Sequence, residues 1–184
     1  MSDITERLDH LKKTIQEYDF LQGKGLSNEV NIRMFCYSPK DEMAVRSFTE
    51  RLENEQLKCN VEIVDLYETF LSICEDMDIL EGIPEMEQDD GKEFLEEQLT
   101  NTIDAKVFSE KIISNFSSDK DLLLITGVGK VFPFMRVHAL LNALQEDMND
   151  KPIVVLYPGT FDGHCVKLFN QLKSNEYYRA FNMI

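Results

Sequence analysis

D-L-L-L-I-T-G-V-G-K-V-F-P-F-M-R-V-H (Asp121–His138) and P-I-V-V-L-Y-P-G-T-F-D-G-H (Pro152–His164) decide how this chain folds. Each opens on an unbroken apolar run of strand length, Leu122–Ile125 and Ile153–Tyr157, with no polar alternation. Strands that are apolar on both faces belong to a parallel sheet covered by helices on both sides. Each run then meets punctuation: Gly127 and Gly129 after the first, the turn signal Pro158-Gly159 after the second. In open α/β sheets, sites form just beyond strand ends of this kind. Pro133, Arg136, His138 and the tail residue Arg179 join these as the unusual residues from which a site would be built.

Working outward, the strand–helix alternation continues upstream. V-N-I-R-M-F-C-Y (Val30–Tyr37) reads as a strand stopped at Ser38-Pro39, and C-N-V-E-I-V-D-L (Cys59–Leu66) as a second. Ile4, Leu8, Leu11, Ile15, Tyr18 and Leu21 recur at helical spacing, with Asp3 placed to cap that helix and Gly23 to end it. Asp41–Glu55 sets Val45, Phe48, Thr49 and Leu52 on one helical face, and Tyr67–Met77 follows the second strand as a helix. The acidic stretch 76–92 lacks periodicity and contains Gly82, Pro84 and Gly91, so it reads as a loop or insertion. Glu93–Phe116 reads as one helix with Phe94, Leu95, Leu99, Ile103, Val107, Ile112 and Phe116 turned to the core. Pro133 is placed to open a helix over Phe132–Glu146, and Asp162 to cap one running through Leu172. N-E-Y-Y-R-A-F-N-M-I (Asn175–Ile184) alternates as a terminal strand. The expected architecture is α/β: a single three-layer domain over 1–184, its mostly parallel sheet flanked by helices.

Composition narrows the function classes. A chain of 184 residues, 43% hydrophobic, can bury a full core without covalent staples. No apolar run approaches the ~18 residues of a membrane span, and the charged opening Met1–His10 has no apolar secretory core, so a cytoplasmic protein is expected. Cys36, Cys59, Cys74 and Cys165 show no C-x-x-C pair, which argues for buried thiols over a disulfide framework or zinc site. The net charge is −15, and Glu75–Glu97 alone carries eleven carboxylates against Lys92. From Gly127 onward six Lys/Arg face five Asp/Glu, so the last third is near neutral. Non-specific nucleic-acid binding needs Lys and Arg against phosphates, and this chain has the opposite sign.

Each chemical candidate has a plainer competitor. Thr126–Lys130, with Gly127, Gly129 and Lys130, follows a strand and precedes a helix, the geometry of an anion-binding loop. A phosphate loop needs G-x-x-x-x-G-K-[ST]; here Leu124 stands at the first glycine and Val131 at the hydroxyl, which favours a tight turn. Arg136 either braces the loop carbonyls, the favoured reading, or presents a bidentate fork to a carboxylate or phosphate. His138 has no nucleophile in recognisable relation to it, so a packing or capping role is favoured. Asp162 and His164 supply only two metal ligands, too few for a site. Tyr177, Tyr178, Arg179 and Phe181 are interface-type residues that also suit an edge strand. The acidic run reads as a solvated face or as a docking surface for a basic partner. No cofactor is expected.

T-G-V-G-K-V-F-P-F-M-R-V-H, V-L-Y-P-G-T-F-D-G, K-L-F-N-Q-L-K and N-E-Y-Y-R-A-F, in this order, resemble the BrxB family of the BREX (bacteriophage exclusion) phage-defence system. The resemblance is dense over the last third and consistent in length and order over the whole chain. It implies a component of a multi-protein assembly whose other members include an alkaline-phosphatase-like PglZ protein, an adenine methyltransferase and a large ATPase. It brings no catalytic residues. The resulting expectation is a non-catalytic adaptor, with a PglZ-like protein as first-choice partner and Arg136, Arg179, Tyr178 and Phe181 as contact residues. The alternative is a degenerate nucleotide- or phosphate-binding domain using Thr126–Lys130.

Overall fold

The computed structural model describes residues 4–24, 31–148, 150–162, 165–173 and 181–182. Four strands carry its frame: β1 (Ile32–Tyr37), β2 (Val61–Asp65), β3 (Leu122–Thr126) and β4 (Ile153–Phe161). They pair in parallel in the order β2-β3-β4-β1, and β7 (Phe181–Asn182) adds in parallel beyond β1. All five residues of β3 are buried, as double-sided apolarity requires of an interior parallel strand.

Alternate side chains divide between two cores. Phe35, Tyr37, Leu122, Leu124, Val154 and Leu156 face α1 (Ile4–Thr14) and α3 (Glu42–Asn54), meeting Leu8, Leu11, Val45, Phe48 and Leu52. Met34, Leu123, Ile125, Ile153, Val155 and Tyr157 face the opposite layer, which includes α4 (Leu66–Asp76), α6 (Lys92–Thr102), α7 (Ala105–Asn115) and α9 (Val137–Asp147). The chain leaves β1 for the far edge at β2 and then returns strand by strand. Crossovers of one hand put the outbound helix and the returning helices on opposite faces, which makes the three layers. The α/β reading of the sequence holds.

Several local expectations do not hold. The first helix is two pieces, α1 and the short α2 (Tyr18–Leu21), with a turn between them. The acidic stretch is helical: a 3-10 turn at Leu80–Gly82 leads into α5 (Ile83–Asp90), and Gly91 at φ +88° joins it to α6. Pro84 sits in the first turn of α5, where its missing N–H costs nothing. The helix expected over Glu93–Phe116 is divided at Asp104, whose side chain accepts from Lys106 N (2.9 Å) and Val107 N (3.0 Å) to start α7. Phe94, expected in the core, is 43% exposed. After the short α8 (Val128–Val131), Pro133 lies in a turn with the Phe132–Pro133 bond cis, and α9 begins only at Val137. Pro158-Gly159 makes no turn. β4 runs parallel to β1 as far as the Tyr37–Pro158 pair, then antiparallel to β5 (Val166–Leu168) from Gly159 on. β5 and β6 (Leu172–Lys173) stand where a helix through Leu172 was expected.

Candidate functional site

The C-terminal ends of β1 to β4 gather the chemistry. Asp65, last residue of β2, lies in register with Thr126, last of β3. Its Oδ1 accepts from Tyr67 N (2.9 Å) and Glu68 N (3.3 Å), which caps α4. Its Oδ2 accepts from Lys130 Nζ at 2.6 Å, a pair about three-quarters buried on both sides. Gly127, at φ +76°, turns the chain between β3 and α8, and its carbonyl accepts from Lys130 N and Val131 N. A Cβ there would lie 2.4 Å from Asp65 Oδ1. Gly129 is equally constrained by approach: its Cβ would lie 2.8 Å from the Phe169 ring and 3.2 Å from Pro158 Cγ.

The Lys130 side chain is therefore engaged by the protein itself. Lys130 and the first N–H groups of α4 together hold the Asp65 carboxylate. A phosphate drawing on Lys130 would compete with a tethered carboxylate that makes three hydrogen bonds. The structure sets Gly129 against Pro158 and Phe169, and Gly127 and Lys130 against Asp65; the sequence reading missed Asp65 and Phe169.

Arg136 does not brace the loop. It stands at the N-cap of α9, exposed, and among the described residues its guanidinium has no partner. His138, half-buried, lies 3.4 Å from Asn142 through Nε2. Asp162 caps no helix: its Oδ1 accepts from Cys165 N at 2.7 Å, closing a small loop with the Asp162 N to Cys165 O bond. His164, Tyr178 and Arg179 lie outside the described residues, as does the side chain of Phe181. Among the described residues no three His, Cys, Asp or Glu side chains cluster as metal ligands.

A second feature sits between the ends of β1 and β4. A cavity of about 300 Å³ is lined by Arg7, Tyr37, Ser38, Gly159, Phe161 and Asn170, among others. Arg7 is fixed there from α1: Nη2 donates to Cys36 O at 2.7 Å and the guanidinium lies 4.7 Å from the Phe35 ring centroid. Burial pushes the Cys36 thiol up to about 12 although Arg7 pulls the other way, so it stays protonated at neutral pH. Tyr37 donates to Glu42 Oε2 at 2.6 Å, and burial followed by that bond holds its phenol well above its ordinary range. Arg46 Nε completes the group on Glu42 Oε1 at 2.9 Å. Tyr37, Glu42 and Arg46 spend their functional groups on one another, and Arg7 spends its guanidinium on a backbone carbonyl.

Comparison with known proteins decides the family. The model of the family described as "BREX protein BrxB" matches residues 62–183. The chain belongs to the BrxB family. A BREX protein BrxB of Bacillus cereus (strain H3081.97) is 38% identical over 194 aligned positions, spanning 100% of this chain and 99% of the relative. A BREX protein BrxB of Escherichia coli O9:H4 (strain HS) is 27% identical over 184, spanning 97% of this chain and 90% of the relative. No solved structure matches the chain. The BrxB match begins inside β2 and so takes in Asp65, the Gly127–Lys130 loop, Arg136 and Pro158-Gly159 together. Among the described residues no helix is long and apolar enough to cross a membrane.

Proposed function

We propose that this BrxB-family chain is a non-catalytic, cytoplasmic component of a BREX phage-defence assembly, an adaptor that contacts another defence protein, with a PglZ-like protein as the partner. The observation that carries the reading is the full-length match to proteins named for the BREX system. The state of the strand-end groups supports it. Asp65 and Lys130 neutralise each other, Asp162 holds a backbone N–H, and the Cys36 thiol is kept protonated. Arg136 is the exception, an exposed guanidinium beside that rigid cluster in sequence, with donors left for a partner's carboxylate. Arg179, Tyr178 and Phe181 would extend the same surface.

The test is phage plating on a host carrying the full BREX system with Arg136→Ala and Arg179→Ala in this chain. Loss of exclusion with the chain's abundance and melting temperature unchanged is the expected result. Full exclusion by the double variant would remove both arginines from the adaptor surface.

A further inference from the structure

The hairpin of α5 and α6 packs on the core through Ile83, Leu95 and Leu99, and its outer surface carries charge and apolar side chains that the fold leaves unused. Glu75–Glu97 carries eleven carboxylates. Among the described residues only two of them have a cation within 4.0 Å, Asp76 with Lys111 and Glu93 with Lys92. Both α4 and α5 end in adjacent acids, Glu75-Asp76 and Asp89-Asp90, with no basic residue in either last turn. The C-terminus of a helix is its negative end, so the backbone repels these pairs. Glu85 and Asp89, four apart on α5, repel each other as well.

Apolar side chains lie exposed in the same stretch. α5 has no buried residue, and Met77, Met86 and Phe94 are three of the six large apolar side chains that are exposed among the described residues. A self-repelling helix anchored to the core only through the partly buried Ile83, and set with adaptable methionines, has the composition of a surface completed by a cationic partner. Nucleic acid and anionic membrane carry the wrong sign for it. A second copy of this chain would bring the same hairpin and a net charge of −15.

We infer that the α5–α6 hairpin docks a basic amphipathic helix of a partner protein, its apolar stripe on Met77, Met86 and Phe94 and its Lys/Arg flanks toward Glu85, Asp89 and Asp90. The biological partner rests on the adaptor reading; the binding itself does not.

The probe is a labelled synthetic helical peptide of about five turns, Leu on one face and Lys on the other, against a scrambled peptide of the same composition. Binding to the full chain is read by fluorescence anisotropy. Met86→Ser with Phe94→Ser, and separately Glu85→Lys with Asp89→Lys, should each weaken binding about ten-fold or more. Glu146→Lys with Asp147→Lys on α9 makes the same change of charge elsewhere and should leave binding within about two-fold. Equal binding of the scrambled peptide, or an equal loss in the α9 variant, would reduce the effect to bulk attraction and overturn the proposal. So would a self-association seen by size exclusion and abolished by Met86→Ser with Phe94→Ser, which assigns the surface to a second copy. No BREX protein enters these measurements, so they succeed or fail independently of the adaptor reading.

Discussion

Replacing Gly127 by Ala tests whether the strand-end cluster is built as described. Two costs add. An L-residue at φ +76° is in the left-handed region, at about 1–2 kcal/mol. The new methyl would lie 2.4 Å from Asp65 Oδ1 and 3.0 Å from Leu66 N. The Leu66 backbone cannot move without shifting α4, so Asp65 must rotate and give up its cap, about 0.5–2 kcal/mol. The total is about 1.5–4 kcal/mol, a fall of roughly 3–16 °C in melting temperature for a chain of this size. Asp65→Ala alone loses the cap and the partner of Lys130, about 1–3 kcal/mol. In the double variant the obstructing carboxylate is gone, and only the backbone cost of an alanine in the left-handed region adds. Urea denaturation of the four proteins should therefore give a loss in the double variant about 0.5–2 kcal/mol smaller than the sum of the single losses. Strict additivity, or Gly127→Ala within about 0.5 kcal/mol of wild type, would refute the contact.

The remaining predictions concern the core and the crevice. Phe108, fully buried and 6.3 Å from the Phe70 ring centroid, should cost about 3–5 kcal/mol on replacement by Ala, read by urea denaturation. Cys36 titrates higher in the fold than in the unfolded chain, where a thiol sits near ~8.5. Its contribution is fully present below that pH and is lost as pH climbs from about 8.5 toward about 12. Cys36→Ala should flatten part of the alkaline loss of stability, while Cys59, Cys74 and the Tyr37 phenol, raised in the same direction, keep the rest. Superimposable pH profiles for variant and wild type would contradict the burial argument. Tyr37→Phe should cost about 1 kcal/mol through the lost bond to Glu42, again by urea denaturation.

What the sequence showed and hid follows from which interactions are local. β3 and β4 were legible because an interior parallel strand must be apolar on both faces, and the buried set Val45, Phe48, Thr49 and Leu52 on α3 because burial imposes the helical period. α5 was invisible to the same reasoning, since periodicity reports burial and α5 buries no residue. The division at Asp104 was concealed because apolar spacing continues on both sides of it; the residue itself, an N-cap type, was the available signal. Pro158-Gly159 suggested a turn because the pair usually makes one. Here it marks where β4 exchanges a parallel partner for an antiparallel one. At the candidate site the glycines were legible and their partners were not. Asp65 is 65 positions from Lys130, and Arg7 is 29 from Cys36. No pattern in a single chain announces such pairs, although an Asp between a strand and a helix does announce a cap.

The central claim is adaptor binding, and co-expression of this chain with a PglZ-like protein, followed by size-exclusion chromatography, tests it most directly. The account predicts one co-eluting complex that is lost on Arg136→Ala with Arg179→Ala, both chains remaining folded. Separate elution of the two wild-type proteins at micromolar concentration would contradict it.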